Sequence, residues 1–117
     1  MDQVKETPEG ESGETVGNEF PMQITGDEFK KLIESGEDFI LVDIRRESEY
    51  EENHLDGAVN IIRRRVRKER DSLEPSKRIV LYCESGFDSL DSASMLRQSG
   101  FPNAQGLKGG IDGYNTN

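Results

Sequence analysis

The stretch Ile79-Val80-Leu81-Tyr82-Cys83-Glu84-Ser85-Gly86-Phe87-Asp88-Ser89 constrains the fold most tightly. Four apolar or aromatic, β-prone residues run into the only cysteine, and Leu90, Ala93 and Leu96 then recur at helical spacing. The pattern predicts a strand, a tight loop and a helix, with Cys83 in the loop mouth. The first N–H groups of a helix lack intrahelical partners and carry about half a positive charge, which favours an anion set against them. A thiolate is such an anion, and it is the reactive form of cysteine. Gly86 lets the backbone curl so that successive amides point inward, a small anion nest around the sulfur. The competing reading is a buried cysteine that behaves as a small hydrophobe.

The rest of the chain alternates in the same way. Met22-Gln23-Ile24 reads as a short strand. Thr25-Gly26-Asp27-Glu28 reads as a capping box that opens a helix, with Phe29, Leu32 and Ile33 on one face and Gly36 at its end. Phe39-Ile40-Leu41-Val42 is an unbroken apolar run, the pattern of a central parallel strand covered on both faces. It ends in Asp43-Ile44-Arg45, at the strand edge where open α/β sheets bind ligands. The plainer reading is an Asp43–Arg45 pair that pins the following loop. Glu47 to Glu52 reads as a short acidic helix, and Asn53 as a turn residue tolerant of left-handed geometry. His54 has no sequence-local partner and reads as a hydrogen-bonded structural histidine rather than a general base. Gly57 to Ile61, Arg78 to Tyr82 and Ala104 to Leu107 supply further strands. Such alternation implies an α/β domain built on a mainly parallel sheet with helices on both faces.

Charge is unevenly distributed. In the first nineteen residues Asp2, Glu6, Glu9, Glu11, Glu14 and Glu19 stand against Lys5 alone. Such a segment buries too little apolar surface to offset its ordering entropy. Residues 1–20 are therefore expected to form a disordered acidic tail, or in the alternative a docking arm, and residues 21–117 the domain. Arg63, Arg64, Arg65, Arg67, Lys68 and Arg70 then crowd one segment; on a helix Arg63 and Arg67, or Arg64 and Lys68, would repel at i,i+4. A solvated face is the plain reading. The sharper one is a docking patch for an acidic carrier protein, an anionic substrate or RNA, with RNA last because no aromatic residues are interleaved. A net charge of −9 argues against general nucleic-acid binding. One cysteine permits no internal disulfide, and no apolar segment approaches the length of a membrane span. A cytoplasmic monomer without membrane association is expected.

Tyr82-Cys83, Ser85-Gly86, Ser89, Leu96, Gly100-Phe101 and Leu107-Lys108-Gly109-Gly110-Ile111 together resemble the second half of a rhodanese (sulfurtransferase) domain. Leu41-Val42-Asp43-Ile44-Arg45, Glu49-Tyr50 and His54-Leu55-Asp56-Gly57-Ala58-Val59-Asn60-Ile61 resemble its first half. The resemblance implies a three-layer sandwich around a mainly parallel five-stranded sheet, with Asp43 and Arg45 supporting the active-site loop and Gly109-Gly110 passing closely beneath it. It implies Cys83 as nucleophile, which takes sulfur from a small donor as a persulfide and yields it to a thiol or cyanide. The amides of Glu84, Ser85, Gly86, Phe87, Asp88 and Ser89 would cradle that persulfide, with Ser89 as the helix cap.

Two departures touch this chemistry. The family commonly carries arginine directly after the cysteine and at the last loop position, where the cations attract dianionic thiosulfate. Here those positions hold Glu84 and Asp88. A carboxylate about 7 Å from a thiolate costs on the order of 1 to 2 kcal/mol at an effective dielectric of roughly 20 to 40. Weak activity on thiosulfate is expected, with an acidic or persulfidated protein, or a neutral or cationic sulfur compound, as partner, steered by Arg63, Arg64, Arg65, Arg67 and Lys68. A rhodanese-like interaction or regulatory module without turnover is the alternative that the acidic loop favours. A phosphatase of the Cys-x5-Arg kind fails on count, since the sixth residue after Cys83 is Ser89. Neither a metal-ligand cluster nor a nucleotide-binding glycine motif appears, so no metal or cofactor is expected. Without a second cysteine, a persulfide on Cys83 needs an external acceptor.

Overall fold

The computed structural model describes residues 20–115, and the acidic segment before Phe20 lies outside the described residues. Five strands, β1 (Gln23–Ile24), β2 (Ile40–Asp43), β3 (Val59–Asn60), β4 (Ile79–Tyr82) and β5 (Ala104–Leu107), form one sheet in the order β1-β5-β4-β2-β3. Every neighbouring pair is parallel. Helices α1 (Gly26–Ser35), α2 (Glu47–Glu52), α3 (Val66–Glu69), α4 (Phe87–Gln98) and α5 (Gly110–Asn115) connect or follow them.

Period-two alternation within the strands divides the core into two layers. Val42, Ile79, Leu81 and Ala104 pack with Val66 of α3 and with Ala93 and Leu96 of α4. Leu41, Val80, Tyr82 and Leu107 pack on the opposite side with Phe29 and Leu32 of α1 and Ile111 of α5. Both sheet faces are covered, so the strands read as unbroken apolar runs. Helix α4 presents Ser89, Ser92 and Ala93 among its buried residues, and these small side chains let it lie close to β5. A Cβ added to Gly106 would stand 3.0 Å from the Leu90 backbone.

Local signals shape the element ends. Thr25 Oγ1 accepts from the Glu28 amide (3.1 Å) while the Thr25 amide donates to Glu28 Oε1 (2.9 Å), and Gly36 closes α1 at φ 74°. Three expectations fail at this level. Ile33 is 50% exposed, because it falls at the edge of the α1 stripe and Phe29 and Leu32 alone reach the sheet. Asn53 is extended (φ −168°) rather than left-handed, an orientation in which its carbonyl accepts from Arg45 Nη2. The segment Arg63–Arg70 is not one helix: a 3-10 turn (Arg63–Arg65), the single turn α3 and a second 3-10 turn (Arg70–Ser72) follow one another. Phe20, assigned to the tail by composition, is held by Arg97 Nη2 donating to its carbonyl (2.7 Å) and by the Arg78 guanidinium over its ring (4.0 Å).

Candidate functional site

The carboxyl ends of three neighbouring strands meet at one cleft of about 570 Å³. Ile44, Arg45 and Arg46 enter it after β2, Ile62, Arg63 and Arg64 after β3, and Cys83, Glu84 and Asp88 after β4, with Glu49 of α2 at its side. Cys83 is only 5% exposed. Its sulfur accepts from the Gly86 amide (3.0 Å) and the Ser89 amide (3.3 Å). The Cys83 thiol lies 3.4 Å from Ser89 Oγ, and the Ser89 hydroxyl donates to the Gly86 carbonyl (3.2 Å). The turn that aims these groups requires Gly86 at φ 105°, where a Cβ would meet the Gly109 nitrogen at 2.8 Å.

Of the six residues expected to cradle the sulfur, two supply amides to it. Gly86 is the N-cap of α4, so Phe87, Asp88 and Ser89 form its first turn and Ser89 is not the cap. Amides at the start of a helix point along its axis, and the Ser89 amide is the one that meets Sγ. Glu84 and Ser85 bridge β4 to that turn, and Phe87 is 80% exposed outside the cleft.

The start of α5 props the loop. Beneath it, the Ile111 amide donates to the Cys83 carbonyl (2.9 Å) and the Asp112 amide to the Glu84 carbonyl (3.1 Å). At the end of β2, the fully buried Asp43 accepts from the Arg45 amide (2.9 Å), Nε (3.1 Å) and Nη2 (2.8 Å), which fixes the loop that follows that strand. Those charge-assisted bonds to Asp43 push the Arg45 guanidinium further above its ordinary range. The plain reading of Asp43 and Arg45, a pinned loop, describes this geometry. His54 Nδ1 meets the Tyr50 carbonyl (2.8 Å) and its ring stacks on Tyr50, away from the sulfur.

Both loop carboxylates line the cleft, and each has an arginine near it. Arg45 Nη1 stands 3.8 Å from Glu84 Oε1, and Arg63 Nε stands 3.7 Å from Asp88 Oδ1. Burial first, and then the Asp112 carboxyl, raise the Glu84 carboxyl above the ordinary glutamate range, with Arg45 opposing. Four arginines and three carboxylates line the cleft, but Arg45 is also bonded to Asp43 and Arg63 to Asp91, so the cleft has no excess of free cations. The sequence expectation counted the two carboxylates against a thiolate without the guanidiniums that stand beside them.

The basic segment divides. Arg63 and Arg64 line the cleft, Arg67 lines a neighbouring groove, Arg65 pairs with Glu69 (2.7 Å), and Lys68 lines neither depression. Sequence reasoning missed Arg46, Glu49, Asp91 and Asp112. Arg46 was within reach of the strand-end rule, since it follows Arg45 directly. Asp91 and Asp112 gave no local signal, because tertiary packing alone brings them to Arg63 (2.8 Å) and to Glu84. Among the described residues no group of three or more His, Cys, Asp or Glu is arranged to hold a metal ion, and no helix is long and apolar enough to cross a membrane.

The rhodanese-like domain family matches residues 25–117. A putative sulfur carrier protein of Bacillus subtilis (strain 168), YrkF, is 30% identical over 92 residues, which cover 79% of this chain and 49% of that protein. The thiosulfate sulfurtransferase GlpE of Coxiella burnetii is 27% identical over 75 residues, 64% of this chain and 70% of GlpE. The solution structure of a rhodanese-like domain from Anabaena sp. superposes with a TM-score of 0.75 at 28% identity, covering 83% of this chain and 75% of that one. The chain spans about half the length of the first curated relatives it matches. The family match takes in every element from α1 onward, and the chain belongs to the rhodanese-like domain family.

Proposed function

We propose that this domain carries sulfane sulfur on Cys83, taking it from a persulfide-type donor and yielding it to a thiol or cyanide, with weak activity on thiosulfate. The observation that carries the reading is the Cys83 sulfur at the mouth of α4, accepting two backbone amides at 3.0 and 3.3 Å on the wall of an arginine-lined cleft. Amide donors and a helix N-terminus stabilise negative sulfur. The Cys83 thiolate attacks the outer sulfur of a donor persulfide. One S–S bond forms to Cys83, the donor's S–S bond breaks, and the donor leaves as a thiolate that takes up a proton. Sulfane sulfur moves without net oxidation or reduction. An acceptor thiolate or cyanide then attacks the terminal sulfur and returns Cys83 to its thiolate.

Thiosulfate is the poorer donor because Glu84 and Asp88 line the cleft while Arg45 and Arg63 are engaged by Asp43 and Asp91, which leaves little free positive charge for a dianion. The test compares sulfur loading from thiosulfate and from a small alkyl persulfide. Loading from thiosulfate is expected to be the slower, and Asp88→Ala, which removes one carboxylate from the cleft while Arg63 keeps Asp91, to raise it about fivefold, the worth of one carboxylate (about 1 kcal/mol) at this range. Equal rates from both donors, or no response to Asp88→Ala, contradict it. The same two carboxylates favour a second reading, a rhodanese-like interaction module without turnover, and an absence of loading from either donor would select it.

A further inference from the structure

Beside the cleft lies a groove of about 440 Å³ whose lining includes Arg63, Arg64, Arg67, Asp91 and Gln98. It shares Arg63 and Arg64 with the cleft that holds Cys83, so the two depressions abut. Within the groove, Arg63 is satisfied by Asp91 at 2.8 Å. Arg64 and Arg67 are exposed and have no carboxylate partner among the described residues, whereas Arg65 in the same segment holds Glu69 at 2.7 Å. Of these two unpaired cations Arg64 stands where the groove meets the cleft and Arg67 lines the groove, on a domain whose acidic residues outnumber its basic ones. Two guanidiniums three positions apart repel weakly, and an anionic ligand reverses that cost.

We propose that this groove docks the acidic segment of a protein that exchanges sulfur with Cys83, an inference that rests on the sulfur-carrying reading above. A protein fits better than a small anion because of Phe87. That side chain is 80% exposed at the start of α4, next in the chain to the cleft-lining Asp88. A small anion makes no use of an exposed aromatic ring, whereas protein interfaces bury aromatic anchors. The acidic segment would meet Arg64 and Arg67 while the partner's cysteine reaches the sulfur through the cleft.

Two synthetic cysteine-persulfide peptides test this, identical except that the flanking residues are Glu and Asp in one and Gln and Asn in the other. Sulfur loading on the full chain is followed by intact mass. The acidic peptide is expected to load about three- to tenfold faster at low ionic strength, with the preference shrinking as salt is added. The ratio of the two rates should fall close to one in Arg64→Glu/Arg67→Glu and persist in Lys30→Glu/Lys31→Glu, which changes net charge equally on α1. Equal rates on wild type, or a preference that survives the groove variant, overturn the docking surface while a small persulfide still loads Cys83. Failure of every donor, the small persulfide included, instead overturns the sulfur-carrying reading on which it rests.

Discussion

At the residue scale, Glu84 stands where electrostatics act on both fold and site. Its carboxyl is raised, first by burial and then by Asp112, with Arg45 opposing at 3.8 Å. A raised carboxyl favours the protonated form in the folded state, so its contribution to stability is full below the unfolded glutamate pKa. That contribution is lost as pH rises through the higher folded value. Glu84→Gln mimics the protonated form. It should unfold at higher urea concentration than wild type at pH 7, by less than about 1 kcal/mol because the side chain is half exposed. The difference should vanish below about pH 4, where both chains carry a neutral group. A variant less stable than wild type at pH 7 would mean that the Arg45 contact outweighs burial and Asp112.

At the scale of elements, the loop between β4 and α4 is braced from below by the start of α5. Gly110 has φ 62°, and a Cβ there would lie 2.6 Å from the Cys83 carbonyl oxygen. Gly36 at the end of α1 shares the left-handed geometry (φ 74°) but has open space around it. Gly36→Ala should therefore cost about 1 kcal/mol, the strain of left-handed backbone alone. Gly110→Ala should cost about 2 to 4 kcal/mol, because the clash with backbone adds to that strain. Equal urea midpoints for the two variants would show that the loop yields to α5 without cost. The same comparison marks what the sequence could and could not disclose. The capping box at Thr25, the apolar runs of β2 and β4, and the loop that brings Gly86 and Ser89 to Cys83 were legible because residues a few positions apart carry them. The groupings of Arg63 with Asp88 and Asp91, and of Glu84 with Asp112, were not, since packing across the chain forms them. Ser89 was misread as a cap because glycine can occupy that position without a side-chain oxygen.

At the scale of the whole molecule, the parallel sheet sets the carboxyl ends of β4, β2 and β3 side by side, and this delivers a cysteine and four arginines to one cleft. The chain's net charge of −9 opposes anionic donors at long range, so those cations act locally, within about a Debye length of 8 to 10 Å. On the proposed reading a persulfide on Cys83 passes to an acceptor outside this domain, because Cys83 is its only cysteine. The decisive measurement is the intact mass of the full chain after exposure to a small persulfide donor, for wild type and for Cys83→Ala. Wild type should gain one sulfur, about 32 Da, and lose it on addition of a thiol or cyanide, while Cys83→Ala gains none. A wild-type mass that does not change, or a gain that persists in Cys83→Ala, would contradict sulfur transfer through this residue.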